Sequence, residues 1–293
     1  MTSFFDVLLG GIFHASVLFL VAAGLQLVFG VQKIVNLACG SFYALGAYFG
    51  VSAVGWAVKA GMPPSLFLPV LLLAGVAMAA IGPFIELLLR TVYKRDESFQ
   101  LLLTFSLLLI FQDVLRFFWG ANPQQMGNLS MAYGKLTLGS VSFPTYNVLV
   151  ILASIAIAAG IGWFLQRTRY GRILRATAEN RDMSAALGVD VRWVYSTVFT
   201  LGTLLGTVGG ALVVPTAAAS LDMSVELVVE AFAVVVIGGL GSMRGALAGA
   251  LIVGLMRAAA ITFYAELEML SIYLVVILVL LLRPAGLFGK PQE

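Results

Sequence analysis

Apolar residues run along the chain in long blocks, at about 8–29, 38–58, 65–89, 98–118, 145–166, 193–214, 225–240, 243–263 and 265–282, with polar or charged breaks between them. Blocks of about 20 apolar residues match the hydrocarbon thickness that an α-helix must cross. None shows the two-residue alternation of a membrane barrel strand, so a closed barrel is excluded. The pattern predicts an all-α, polytopic transmembrane helical bundle of eight or nine spans, folded as one domain over residues 1–293. The 225–240 block is short for a full crossing, and the glycine-rich turn behind it, Gly238 to Gly245, predicts a segment that dips in and returns.

Composition narrows the function. Of 293 residues 61% are hydrophobic and 11% charged, with a mean hydropathy of +1.03. Soluble domains carry roughly a quarter charged residues, so a water-soluble globule and a disordered chain are both excluded. One cysteine, Cys39, and one histidine, His14, allow neither an internal disulfide nor a Cys/His metal site, and no cofactor is expected. No G-x-x-x-x-G-K-[ST] phosphate loop is present, so ATP is not hydrolysed by that route. There is no G-x-S-x-G elbow either, and His14 reads as a packed, hydrogen-bonded histidine rather than a catalytic base. The net charge of +3 is too scattered for a nucleic-acid surface. The N-terminus lacks a basic region and a small-residue cleavage pattern, so the first block reads as a retained span.

The placement of charge sets the orientation. With the N-terminus outside, 13 of the 17 basic residues fall inside, Lys33, Arg90, Lys94, Arg95, Arg244, Arg283 and Lys290 among them. Lys59, Arg116 and Lys135 fall outside, and Arg257 stays within a span. The positive-inside rule therefore selects N-out, C-in.

The inner loop at about 167–192 holds six arginines and three acids. Its middle, Ile173 to Leu187, lacks Gly and Pro and predicts one short amphipathic helix, with Ile173, Leu174, Thr177 and Ala178 opposite Arg172, Arg175, Glu179 and Asp182. Gly188 ends it as a C-cap. The outer loop at 119–144 is polar and only lightly charged.

Gly202, Gly206 and Gly210, and again Gly241, Gly245 and Gly249, recur every four residues, a spacing that lets helix backbones approach closely in lipid. Ionisable residues within the spans are few. Asp113 and Arg116, three apart, are expected to pair with each other. Glu226 and Glu230 open the short block, where a helix N-terminus favours carboxylates, and Arg257 is placed to reach one of them. A proton- or sodium-coupled carrier would show a mid-membrane carboxylate, and no strong candidate stands out. The stretch from Gly40 to Ala47 is similar to that from Gly241 to Ala250, which suggests a two-fold parallel internal repeat.

Four stretches carry a family resemblance: GLQLVFGVQKIVNLACGSFYALGAY at Gly24 to Tyr48, YGRILRATAENRDMSAALGVD at Tyr170 to Asp190, VVIGGLGSMRGALAGALIVG, and LLLRPAGLFGK near the C-terminus. They resemble the membrane permease subunits of ABC importers for branched-chain amino acids, over residues 8 to 289. The resemblance implies a multi-pass protein of the plasma (inner) membrane, paired with a second permease subunit of the same or another kind. It also implies two cytoplasmic ATPase subunits and an external solute-binding protein that selects the solute. The absent phosphate loop is then expected, because hydrolysis belongs to another chain. By the same resemblance Gly171, Arg175, Ala176, Asn180, Ala186 and Gly188 contact the ATPase.

The family usually carries an acidic residue or a histidine where this chain reads Ala38-Cys39-Gly40-Ser41-Phe42, so the exact solute stays open. Importers for urea, short amides, sugars or nucleosides look similar, and a secondary carrier is the alternative outside the class. Asn36, Gly40, Ser41 and Gly46, with Gln26 and Gln32 beside them, are the expected residues of the translocation path. Capping of a helix by Asn36 is the competing reading of that residue.

Overall fold

The computed structural model describes residues 2–93, 95–127, 132–138 and 141–289. Lys94 and Lys290, two of the basic residues used for orientation, lie outside the described residues. In chain order the helices are α1 (Thr2–Gln32), α2 (Cys39–Lys59), α3 (Phe67–Met78), α4 (Gly82–Leu89), α5 (Glu97–Trp119), α6 (Thr145–Arg167), α7 (Arg169–Glu179), α8 (Arg181–Ala186), α9 (Val191–Val213), α10 (Met223–Gly238), α11 (Met243–Phe263) and α12 (Glu268–Leu282). The outer loop adds a small antiparallel ribbon, β1 (Lys135–Leu138) paired with β2 (Val141–Pro144). Among the described residues, eight helical stretches are long and apolar enough to span a membrane, with α3 and α4 joined as one, Phe67–Val92. The α10 helix is the exception. Its 16 residues rise about 24 Å, short of a core about 30 Å thick.

Helix α1 is the central post. It is the most buried of the eight spans and packs against α9, α11, α6 and α10. Close approach comes from small residues, as their spacing predicts. Gly24 on α1 meets Gly202 on α9, and Gly11 and Ala15 on α1 meet Gly254 on α11. Gly206 lies against Phe42 and Cys39 of α2, and a Cβ on Gly210 would collide with the Tyr43 carbonyl. Gly245 and Gly249 press α11 onto Gly238 and Val234 of α10. Gly241 departs from that ladder, sitting in the α10–α11 turn with φ +81° and open space where a Cβ would stand.

Two spans are broken. Gln32 Nε2 donates to the Tyr195 carbonyl (2.8 Å), which places the end of α1 beside the start of α9. The chain reverses at Lys33 (φ +58°) and runs without helix, through a turn at 37–38, until α2 begins at Cys39, level with Gly206. Eleven residues separate Tyr195 from Gly206 on α9, so the non-helical stretch climbs about 16 Å into the bundle. Non-helical backbone at that depth survives only inside protein that satisfies its polar groups. Here the Thr104 hydroxyl donates to the Val35 carbonyl (3.3 Å) and Asn36 Oδ1 accepts from Ala38 N (3.1 Å). The second break lies at residues 214–222, which return from the outer end of α9. Ala219 pairs with Gln124 of the outer loop, and Gln112 of α5 donates to the Leu221 carbonyl (3.3 Å). Helix α10 then starts beside α2, with Ser224 against Gly40, and ends at the opposite face. There Leu287 N and Phe288 N donate to the Ile237 and Gly238 carbonyls (2.8 and 3.0 Å). The 225–240 segment therefore does not dip and return: with 214–222 it completes one crossing. The two stretches read as a repeat both pack on α10, the α2 stretch at its first turn and the α11 stretch nearer its end.

One face of the molecule gathers the basic breaks. Arg90 Nη2 approaches the Arg192 carbonyl (3.4 Å), and the ends of α1 and α10 lie with the 167–192 loop and the C-terminal segment. The β1–β2 ribbon and the end of α5 lie at the other face, where Tyr133 bonds the Ser65 carbonyl and Trp119 bonds Ser52.

Candidate functional site

The 167–192 loop is a platform of two short helices rather than one. Thr168 caps α7 by accepting from Gly171 N (3.0 Å), Asn180 caps α8 by accepting from Met183 N (2.9 Å), and Asp190 caps α9. The expected single helix from Ile173 to Leu187 breaks at Asn180, whose extended backbone (φ −148°, ψ 102°) and side chain start a new helix. The apolar side of α7 is turned to the spans and not to a partner. Leu174 and Thr177 are buried, and α7 packs on α1, α6 and α9. Gly171 makes this seat possible, since a Cβ there would run into the Phe164 and Leu165 carbonyls at the end of α6. A loop too short to reach away from the spans lies down on them.

What faces outward is a different set. Arg175, Ala176, Asn180, Ala186 and Gly188 are exposed, along with Met183 and Leu187. Gly188 has φ +87° and terminates α8, as its position predicts. Arg181 stacks over Tyr195 (5.5 Å to the ring centre) and Tyr170 packs on Trp193 (5.4 Å), which tie both short helices to α9. The platform is thus fixed to the spans on one side and presents Met183, Ala186 and Leu187 with flanking arginines on the other.

The residues singled out around 26–46 are all buried. Gln26 clamps the α10–α11 turn, donating to the Gly239 carbonyl (3.0 Å) and accepting from Gly241 N (2.5 Å). Gln32 holds α9. Asn36 closes a turn ahead of α2 by accepting from Ala38 N, while the cap position of the helix, Ala38, has no side-chain cap bond. Ser41 donates to the Leu108 carbonyl (3.4 Å), Gly40 seats the first turn of α10, and Gly46 seats α9 at Thr207. The structure does not gather the six at one point: Gln26 stands at the end of α10, Gly40 at its first turn, Gln32 at the start of α9 and Gly46 further along α9. The outward side of α10 carries Val225, Glu226, Val229 and Phe232.

An ionic cluster joins four helices. Glu230 of α10 lies 2.6 Å from Arg257 Nη1 on α11 and 3.0 Å from His14 Nε2 on α1, and Arg257 Nε bonds Glu268 of α12 (2.5 Å). His14 Nε2 is also 2.8 Å from Arg257. A neutral ring nitrogen serves one such contact at a time, either donating to Glu230 or accepting from Arg257. The spacing of charges points to the Arg257–Glu230 pair. The His14 partner, 216 residues away in sequence, has no local signal. A cavity of about 270 Å³, lined by Asp6, His14 and Arg257, opens beside the cluster. The expected Asp113–Arg116 bond is absent among the described residues, and both side chains are exposed on α5.

The helical bundle with its eight candidate spans and the family that its sequence matches define the class, an ABC transporter permease component. The family model for the branched-chain amino acid transport system / permease component matches residues 7–282, and the chain belongs to that family. The high-affinity branched-chain amino acid transport system permease protein BraD of Pseudomonas aeruginosa is 25% identical, with 97% of this chain and 95% of BraD aligned. The corresponding LivH of Escherichia coli is also 25% identical, over 99% and 96%. The ribose import permease protein RbsC of Escherichia coli is 26% identical, over 83% and 74%. The chain is a non-catalytic, multi-pass ABC transporter permease component of the inner membrane. Permeases of this kind work with ATPase and solute-binding partners.

Proposed function

We propose that this chain passes branched-chain or other small apolar amino acids inward, after an external binding protein delivers them and while two ATPase subunits engage the 167–192 platform. The observation that carries the coupling half is the exposed Met183–Ala186–Leu187 surface held rigidly on α9. An apolar knob with flanking charge fits a groove on a partner. Arg172 and Arg175 supply charge-assisted contacts to an acidic rim. Arg175, Ala176, Asn180, Ala186 and Gly188 form the contact, and Gly171 acts behind it by seating α7. The gathering of basic breaks on the same face supports an N-out, C-in orientation.

The pathway follows the outward side of α10. Asn36, Gly40, Ser41 and Gly46, with Gln26 and Gln32, set where α10 stands and so define the path from behind. Amino acids are favoured over sugars because near-full-length relatives such as BraD and LivH are named for branched-chain amino acids, whereas RbsC aligns over a smaller share. Co-purification of the partner binding protein, followed by a thermal-shift screen against leucine, isoleucine, urea, acetamide and ribose, tests this. Stabilisation by leucine or isoleucine is expected; stabilisation by ribose or urea alone overturns the substrate assignment.

A further inference from the structure

The cavity beside the ionic cluster is lined by α1 and α11 alone. Asp6, Gly10 and His14 line it at every fourth position of α1, and Arg257, Ile261 and Thr262 line it from α11. Its two ends differ in charge. His14 and Arg257 stand at the buried end. Glu230 and Glu268 hold Arg257 but do not line the cavity, so they fix the guanidinium from behind. Arg257 Nε bonds Glu268, Nη1 meets Glu230 and His14, and Nη2 uses one of its two N–H groups on Glu268. The other stays uncommitted. His14 Nδ1 likewise makes no bond among the described residues. Asp6 stands at the open end, exposed and without a bonded partner among the described residues. Eight residues separate it from His14, about 12 Å along α1. Between them Gly10 leaves open space where a side chain would stand.

The depth is that of lipid headgroups. Helix α11 ends at Phe263, and Phe263 and Tyr264 are exposed, aromatic residues of the kind that settle at a membrane–water interface. Arg257 lies six residues before Phe263, about 9 Å below it. The interfacial layer is about 5–8 Å deep on each side of a bilayer, so the cavity runs from that layer to just beneath it.

We propose that the cavity binds the headgroup of an ethanolamine phospholipid, with the phosphate on Arg257 and His14 and the ammonium on Asp6. The order matches a lipid in its own leaflet, phosphate nearer the core and ammonium nearer water. A phosphate oxygen takes the uncommitted Arg257 N–H as a charge-assisted bond. The His14 tautomer whose Nε2 accepts from Arg257 leaves Nδ1–H to donate to the same phosphate. The ammonium donates to the Asp6 carboxylate and to the Thr262 hydroxyl oxygen, whose own hydrogen goes to the Ala258 carbonyl. The two-carbon spacer crosses the space at Gly10, and exposed Ile261 meets the apolar part of the lipid. A free amino acid carries both charges on one carbon and does not reach both ends. No residue of α10 lines the cavity, so the inference holds whatever solute is carried.

The test uses the full chain, purified in detergent, stripped of lipid and titrated with dioleoyl phosphatidylethanolamine or phosphatidylglycerol while native mass spectrometry counts bound lipid. One phosphatidylethanolamine should bind saturably, at least about tenfold tighter than phosphatidylglycerol, which lacks the ammonium. Asp6→Asn, which breaks no bond within the protein, should weaken that binding about tenfold, as should Gly10→Leu, which fills the cavity. Both variants should keep the parent's thermal midpoint in the absence of lipid. Soluble phosphoethanolamine should compete for the site, and leucine should not. Equal binding of the two lipids, parental affinity in either variant, or displacement by leucine in place of phosphoethanolamine would each overturn the proposal. None of these readouts depends on uptake, so they separate from a failure of the substrate assignment.

Discussion

Replacing Arg257 with methionine tests how the four-helix ionic cluster contributes to the fold. Arg257 is the cation that reaches both Glu230 and Glu268, and Glu230 is itself buried between α1, α2 and α11. Arg257→Met leaves Glu230 with His14 alone. Breaking a buried pair from one side costs about 3–5 kcal/mol, because the remaining charge stays desolvated. At roughly 2–4 °C per kcal/mol for a domain of this order of size, the midpoint should fall by roughly 6–20 °C. The chain supplies its own probe, since Cys39 is the single thiol and is buried. A thiol-reactive fluorophore added to detergent-solubilised protein reports unfolding as Cys39 becomes accessible. The double variant Arg257→Met/Glu230→Gln removes both charges and should lose less than the sum of the two single variants. A midpoint within about 2 °C of the parent for Arg257→Met, or strict additivity in the double variant, would refute the reasoning.

Gly210→Ala should lower the same midpoint by the equivalent of about 1–3 kcal/mol, because its Cβ has no room beside the Tyr43 carbonyl. Gly10→Ala, with open space around it, should leave the midpoint unchanged. In a Cys39→Ala background, Asn180→Cys should be labelled only from inside and Gln125→Cys only from outside; the reverse pattern would overturn the orientation. Leu174→Ala should cost about 2–4 kcal/mol and reduce ATPase co-purification although it touches no exposed contact residue, because it loosens the seat of α7.

The spans were legible because lipid leaves a continuous apolar run as the signature of each crossing, and the ends of α5, α6 and α11 fall within a residue or two of those runs. The break before α2 was not. Ile34, Val35, Leu37 and Ala38 are as apolar as a span, and only the contacts of Thr104 and Gly206 reveal that they enter without forming helix. The helix content of the inner loop was legible, and its orientation was not. An amphipathic pattern tells which side is apolar but not whether that side meets a partner or the chain's own spans. Gly171 held the one local hint, since a glycine at a helix start beside a preceding helix end permits direct contact. Gly202, Gly206 and Gly210 gave true close approaches at the predicted spacing, whereas Gly241 shared the spacing but serves a turn.

In the function proposed above, the exposed side of the inner platform passes ATP-driven motion to the spans on either side of it. Its most direct test is leucine uptake into proteoliposomes holding the permease with its ATPase subunits and supplied with binding protein, comparing the parent with Ala186→Trp/Gly188→Trp. Tryptophan at 186 blocks close docking, and at 188 it also meets a backbone with φ +87° that side chains other than glycine adopt at a cost. The double variant should lose ATPase co-purification and ATP-driven uptake while the isolated binding protein keeps its affinity for leucine; full ATP-driven uptake by the double variant would overturn the coupling role of the platform.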